Sequence, residues 1–244
     1  MRRIKIEFSY DGKNFSGYQI LKDKRTIQGT LQDALSKLLG EEIKVVSSGR
    51  TDAGVSAISQ VAHFDTNSTI IATNICFAVN KLLPPDLQVE SSKNVSENFH
   101  ARYSAKSKTY KYIVYQSMHI NAVYNNFMYR CDKPLDIELM KKASKFLIGK
   151  HNFKAFATFD DDVKNFDRQI NSIDIKQEGN IFSFEINGNA FLYNMVRIIV
   201  GTLLDVGTGK IKPEDVKKIL DSKDRRNAGK LVPPHPLCLM KVYY

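Results

Sequence analysis

Glu42-Ile43-Lys44-Val45-Val46-Ser47-Ser48-Gly49-Arg50-Thr51-Asp52-Ala53-Gly54-Val55, with Gln60-Val61-Ala62-His63-Phe64-Asp65 just beyond it, is the stretch on which the fold turns. Two runs rich in apolar and β-branched residues flank a segment bounded by two glycines. The pattern therefore reads as strand over 42–48, turn over 49–54, and strand over 60–65. Working upstream, Ile27, Leu31, Ala34, Leu35, Leu38 and Leu39 recur at helical spacing. Thr26 stands where an N-cap belongs and Gly40 where a helix ends in the left-handed conformation. Residues 2–9 alternate as a strand that runs into an Asp11-Gly12 turn. Downstream, residues 72–83 are helical in pattern and stop before Pro84-Pro85, and Leu87 to Val95 is a further strand. The order is β-α-β-β-α-β.

The rest of the chain repeats it. Residues 106–116 alternate as a strand, and Ile137, Met140, Ala143, Phe146 and Leu147 line one side of a helix over 136–148. Strands at 169–177 and 180–187 are joined by a tight turn at Glu178-Gly179. A long apolar helix follows from about Asn189 to Leu204, a shorter one begins near Pro213, and 237–244 is a last strand. Two such halves, 1–105 and 106–244, predict an α+β protein. Its continuous, mainly antiparallel sheet would carry helices packed on one face, with a cleft between the halves. No Gly/Ser/Pro-rich linker separates them. Residues 155–166 and 221–235 read as mobile loops.

The chain has 244 residues, 43% hydrophobic and 25% charged, which allows a proper core. It has no apolar run near the ~20 residues that span a bilayer. Met1-Arg2-Arg3-Ile4-Lys5-Ile6-Glu7-Phe8 alternates from the start, unlike the unbroken apolar core of a signal peptide, so the cytosol is the expected compartment. Cys76, Cys131 and Cys238 are far apart, and the five histidines lack ligand spacing, so no metal site is expected. Lys and Arg exceed Asp and Glu by 36 to 26, a net charge of +10. That excess is the usual footprint of a polyanion partner, nucleic acid first among them.

Taken alone, Gly49–Gly54 is a turn presenting an arginine and an aspartate, and Asp-x-Gly also occurs in ordinary solvated turns. The wider pattern is more specific. Gly49-Arg50-Thr51-Asp52-Ala53-Gly54-Val55-x-Ala57, followed by Gln60-Val61-Ala62-His63-Phe64, resembles the signature of the tRNA pseudouridine synthase A (TruA) family. Other blocks resemble the same family in the same order. They are Tyr10-Asp11-Gly12-x-x-Phe15-x-Gly17-Tyr18-Gln19, Thr26-Ile27-Gln28-Gly29, Phe99-His100-Ala101-Arg102, Lys108-x-Tyr110-x-Tyr112, and Phe191 to Arg197 followed by Gly201.

The resemblance implies isomerisation of uridine to pseudouridine in structured RNA. That reaction adds and removes no atoms overall and calls for no cofactor. It implies Asp52 as the catalytic carboxylate, acting as nucleophile or as base. It implies Arg197 as the cation that keeps Asp52 ionised, and Tyr110 as the ring that stacks on the extruded uracil. Arg50 would enter the space left by that base or grip a phosphate, and Leu237 would be an apolar wall. Lys13, Lys22, Lys24, Arg25, Arg102 and Lys111 are candidate phosphate contacts. On the 106–116 strand, Lys106, Lys108, Tyr110 and Tyr112 share a face, a basic-aromatic pattern suited to RNA. The helix carrying Arg197 is expected to bury a stripe of Phe191, Met195, Ile199, Val200 and Leu203, with Arg197 off its centre. The family further implies a homodimer acting on uridines at tRNA positions 38–40.

Two departures stand out. Ser56 replaces the family's usual histidine, and Pro236 replaces a glycine before Leu237. Residues 229–233 fit the family's Ala-x-x-Ala-Pro loosely. A paralogue acting on another tRNA position or on rRNA is therefore an alternative, and a non-catalytic RNA-binding or tRNA-folding protein is another. Asp52, Tyr110 and Arg197 together argue against the latter, since a pure binder has no need of all three.

Overall fold

A computed structural model describes residues 1–119, 121–159 and 163–244. The chain divides into two compact units, 1–106 with 238–244, and 107–237. The terminal residues thus group with the first unit rather than with the second half.

In the first unit, β1 (Arg2–Tyr10) lies between β3 (Ser56–Thr66) and β4 (Leu87–Val95), antiparallel to both. Ile4, Ile6, Phe8 and Tyr10 alternate inward as period two requires. Helix α1 (Ile27–Leu39) begins where Thr26 Oγ1 accepts the Gly29 N–H and ends at Gly40, whose φ is 70°. The strand expected over 42–48 shrinks to β2 (Val46–Ser47), paired with His63 and Ala62. The reason lies in α1. Ser36 Oγ accepts the Ile43 N–H, Gln32 Oε1 accepts the Val45 N–H, and Gln28 donates to the Val45 carbonyl. Helix side chains thus satisfy the backbone groups that a strand ladder would otherwise use. The helix expected over 72–83 is a 3-10 turn at Ala72–Asn74 followed by α2 (Ile75–Asn80). Asn80 closes it by exchanging two hydrogen bonds with Val89 of β4.

In the second unit, β5 (Ser107–Gln116) pairs antiparallel with β9 (Ile181–Gly188), β9 with β8 (Asp167–Glu178), and β8 with β7 (Gly149–Asn152). The short β6 (Tyr129–Cys131) adds to β5 in parallel. Neither β6 nor β7 shows enough alternation to be read from sequence. The β8–β9 turn is Gly179-Asn180, one residue later than expected, because Glu178 still pairs with Ile181. Gly179, at φ 57°, takes the first central position. Helix α3 (Ile137–Ser144) is capped by Asp136 and continues as a 3-10 turn to Leu147.

The apolar helix α4 (Met195–Gly207) starts six residues later than the expected Asn189. Asn189 instead prolongs the sheet, exchanging hydrogen bonds with Gln169, and Asn194 sits at φ 62°, outside helical space. Nor is there a buried stripe: every α4 residue except Arg197 is buried. Helix α5 (Asp215–Ser222) follows Pro213. The last strand, β10 (Leu237–Tyr243), aligns Cys238 and Leu239 in parallel with Ser56 and Ala57 of β3. The fold is therefore α+β with mainly antiparallel pairing, β5–β6 and β3–β10 being parallel. Of the two expected loops, 155–166 includes residues 160–162, which lie outside the described residues. Its first part is a 3-10 turn with Ala155 and Phe156 buried, and 221–235 includes the end of α5 and a capped turn at Arg225–Asn227.

Candidate active site

The Gly49–Val55 segment is pinned from two sides. From β3, Gln60 accepts from Ser48 Oγ at 2.6 Å and donates to the Gly49 carbonyl at 3.1 Å. From the N-terminal segment, the Tyr10 hydroxyl bonds Thr51 Oγ1 at 2.8 Å, and the Tyr18 N–H donates to the Thr51 carbonyl at 3.0 Å. Two glycines make this approach possible. A Cβ on Gly12 would lie 2.2 Å from the Val55 carbonyl oxygen, and one on Gly17, itself at φ 94°, would lie 3.3 Å from the Ala53 nitrogen. Ser56, the departure from the family histidine, accepts the Gly12 N–H at 3.1 Å and so takes part in the same clasp. Within it, the Asp52 carbonyl accepts the Val55 N–H at 3.1 Å, with Gly54 at φ 79° in the third turn position, where only positive φ fits a type II turn. Thr51 is buried, Asp52 half-buried and Arg50 exposed. The backbone that carries Asp52 is over-determined, and the residue itself remains reachable.

The second unit holds Tyr110, Arg197 and Leu237. Tyr110 is only 8% exposed and meets Phe191 edge to face, with centroids 5.2 Å apart. The β5 face it shares with Lys108 and Tyr112 is the buried one, so the expected basic-aromatic face is largely core. Lys106 lies just outside β5 and is exposed. Burial pushes the Tyr112 phenol up, with the Arg197 charge opposing it, and its hydroxyl donates to the Pro233 carbonyl. Arg197 Nε donates to the Val232 carbonyl at 2.8 Å and an Nη to Asn194 Oδ1 at 2.6 Å. Asn194 in turn donates to Thr158 Oγ1. The 229–233 segment crosses α4 in direct backbone contact, because a Cβ on Gly201 would stand 1.9 Å from the Lys230 carbonyl oxygen. Buried Leu237 follows a turn in which its N–H reaches the Pro234 carbonyl, with Pro236 inside that turn.

A family model described as tRNA pseudouridine synthase matches residues 7–104 and 143–244. The chain belongs to the tRNA pseudouridine synthase family. Proteins named tRNA pseudouridine synthase A from Acetivibrio thermocellus and Ruminiclostridium cellulolyticum are 41% and 44% identical to it, each matching over the full length of both chains. A tRNA pseudouridine synthase A 2 from Clostridium perfringens is 46% identical over the same extent. Among solved structures, a chain of a Cbf5-Nop10-Gar1 complex matches 83% of this chain and 54% of its own length, at 16% identity and a TM-score of 0.36. That likeness is too distant to bear on the site. The residues matched by the tRNA pseudouridine synthase model include Arg50, Asp52, Arg197 and Leu237, whereas Tyr110 lies between its two segments.

For this tRNA pseudouridine synthase family member the candidate phosphate contacts are unequal. Arg25 holds Asp86 through two bonds of 2.8 and 2.6 Å and lies 4.0 Å over the Phe15 ring. Lys111 pairs with its cross-strand neighbour Glu185 at 3.2 Å. Both would have to give up a carboxylate to take a phosphate. Lys13, Lys22, Lys24 and Arg102 are exposed. The positioning groups that sequence reasoning missed are Asn194, the Val232 carbonyl, and the clasp of Gln60, Tyr10 and Ser56. Tyr10, Gly12, Gly17 and Gln60 do fall within motifs that resemble the family, but nothing in their identity says what they hold.

Proposed function

We propose that this enzyme of the tRNA pseudouridine synthase family isomerises uridine at positions 38–40 of tRNA, with Asp52 as the reacting carboxylate. The observation that carries the reading is the clasped turn, which presents a half-buried aspartate on a backbone held from both sides. Such preorganisation is what a group needs if it must meet a ribose carbon or proton within a few tenths of an ångström. Asp52 attacks the sugar or base, or removes a ribose proton, as the N1–C1′ bond breaks. The uracil turns and C5 bonds C1′, releasing the Asp52 carboxylate or taking back the ribose proton it removed, after which the C5 proton leaves and N1 gains one. Tyr110, backed by Phe191, stacks on the extruded base, and Leu237 gives it an apolar wall. Arg197 supplies the positive charge that keeps Asp52 ionised, and Arg50 fills the vacated stack or holds a phosphate. The enzyme works in the cytosol as a homodimer. The excess of basic residues and the relatives' names support tRNA as the partner.

Pseudouridine mapping across total tRNA and rRNA, in cells lacking the gene and cells carrying Asp52→Asn, tests this. Signal at tRNA 38–40 is expected to vanish in both. Loss at another position instead would assign a different substrate, and full signal with a folded Asp52→Asn protein would remove Asp52 from the chemistry.

A further inference from the structure

On the first unit, away from the Asp52 turn, Tyr103 leaves an aromatic ring 78% exposed. It is not a loose side chain on a loose loop. The ring lies over the His100 imidazole, with centroids 4.3 Å apart and planes 31° from parallel. His100 Nδ1 accepts the N–H groups of Arg102 and Tyr103, both at 3.2 Å, and the Ser104 hydroxyl accepts the His100 N–H. Below it, the Ala101 N–H donates to His63 Nδ1 at 3.1 Å, and the two imidazole centroids are 4.9 Å apart. Burial, reinforced by Arg3 and His100, holds the His63 imidazole down at about 4, so it is neutral at pH 7. Since its Nδ1 accepts, neutral His63 carries its proton on Nε2. The result is a set of three touching rings, His63 at 61° to His100 and Tyr103 over His100, ending in an exposed face.

His63 and His100 also line a groove of ≈ 530 Å³ together with Arg3, Lys44, Val46 and Asp65, among others. Its charges cancel. Arg3 holds Asp65 at 2.7 Å, and exposed Lys44 stands 3.8 Å from Glu42. A wall with donors, acceptors and ring edges but no net charge suits a base edge and ribose better than a phosphate. A cation for the adjoining phosphate stands outside, where the Arg102 guanidinium is 5.9 Å from the Tyr103 ring. His63 is seven residues along β3 from Ser56, where the Asp52 turn joins. At ~3.3 Å per residue that is about 23 Å, too far for one nucleotide to reach both places.

We infer that the Tyr103–His100 stack and its groove form a second RNA contact, which takes an unpaired nucleobase of the substrate tRNA remote from the reacting uridine. The inference rests on tRNA being the substrate. The exposed ring stacks on the base, the groove receives its polar edge, and Arg102 meets the flanking phosphate. Sequence tolerance follows, since every base has a face to stack.

The test compares full-length wild type, Tyr103→Ala and Tyr103→Phe for affinity to one unmodified tRNA transcript at fixed salt. Isomerisation by the wild type is scored separately. Stacking lost from one base corresponds to about a 5- to 150-fold weaker Kd for Tyr103→Ala, with Tyr103→Phe within about twofold of wild type. An unchanged melting temperature shows that the fold is intact. Affinity within twofold for Tyr103→Ala overturns the contact. So does a Phe variant as weak as the Ala variant, or a change in sedimentation without a change in RNA affinity, which would make this face a protein interface. A wild type that binds the transcript without isomerising it would sink the catalytic reading alone.

Discussion

Arg197 is held by two different kinds of acceptor, a backbone carbonyl of Val232 and the side-chain amide of Asn194. Lysine cannot reproduce that fork, although it keeps the charge. We expect Arg197→Lys to lower kcat about 10- to 150-fold, the range for losing one hydrogen bond to a charged group, while Kd for tRNA stays within about threefold. Steady-state kinetics beside equilibrium binding would show it, and equal losses in both would mean that Arg197 serves binding rather than the chemical step. At this scale the sequence offered candidate chemical groups and was silent about what supports them. Aspartate, arginine and tyrosine stand in motifs that name them as candidates; Asn194 stands in the Phe191 to Arg197 block too, but nothing in its identity says what it holds. Its φ of 62° follows from packing that no local pattern records.

Among the elements, periodicity located nearly every helix and strand but not where each begins. α1 kept its expected ends because Thr26 and Gly40 are residue types whose local chemistry terminates a helix. Strand β2 shortened because α1 side chains reached the 43–45 backbone first. The α4 stripe failed because burial is nearly all-round, and a helix covered on every side has no phase to detect. At Gly201 the backbone of the 229–233 segment comes close against α4. Adding one methyl there meets the Lys230 carbonyl oxygen at 1.9 Å. Gly201→Ala should therefore cost about 1–3 kcal/mol, or more, by overpacking. It should also lower kcat, since the displaced segment carries the acceptor of Arg197. Urea midpoints and turnover check the two halves of this statement, and an unchanged midpoint would mean that the segment yields freely.

For the whole molecule, a net charge of +10 is a statement about affinity rather than fold. Arg25 and Lys111 are engaged by carboxylates, and the other four candidate cations, Lys13, Lys22, Lys24 and Arg102, are exposed. Neutralising about four phosphates gives a slope of about −3 to −4 in log K against log salt concentration. Binding titrations across salt would measure it, and a flat dependence would contradict a phosphate-led interface. Among the described residues no helix is long and apolar enough to cross a membrane.

The return of residues 238–244 to the first unit bears on how the chain is made. The second unit is one uninterrupted run, 107–237, all of it synthesised before residue 238. The first unit is translated earlier yet stays unfinished, because β3 waits for Cys238 and Leu239, and Ala101 for the Tyr244 hydroxyl. The residues that begin the first unit and those that complete it are thus made at opposite ends of synthesis. Chains arrested on the ribosome before residue 238 should leave the first unit open to protease. Full protection of the first unit in such chains would show that its last strand is dispensable.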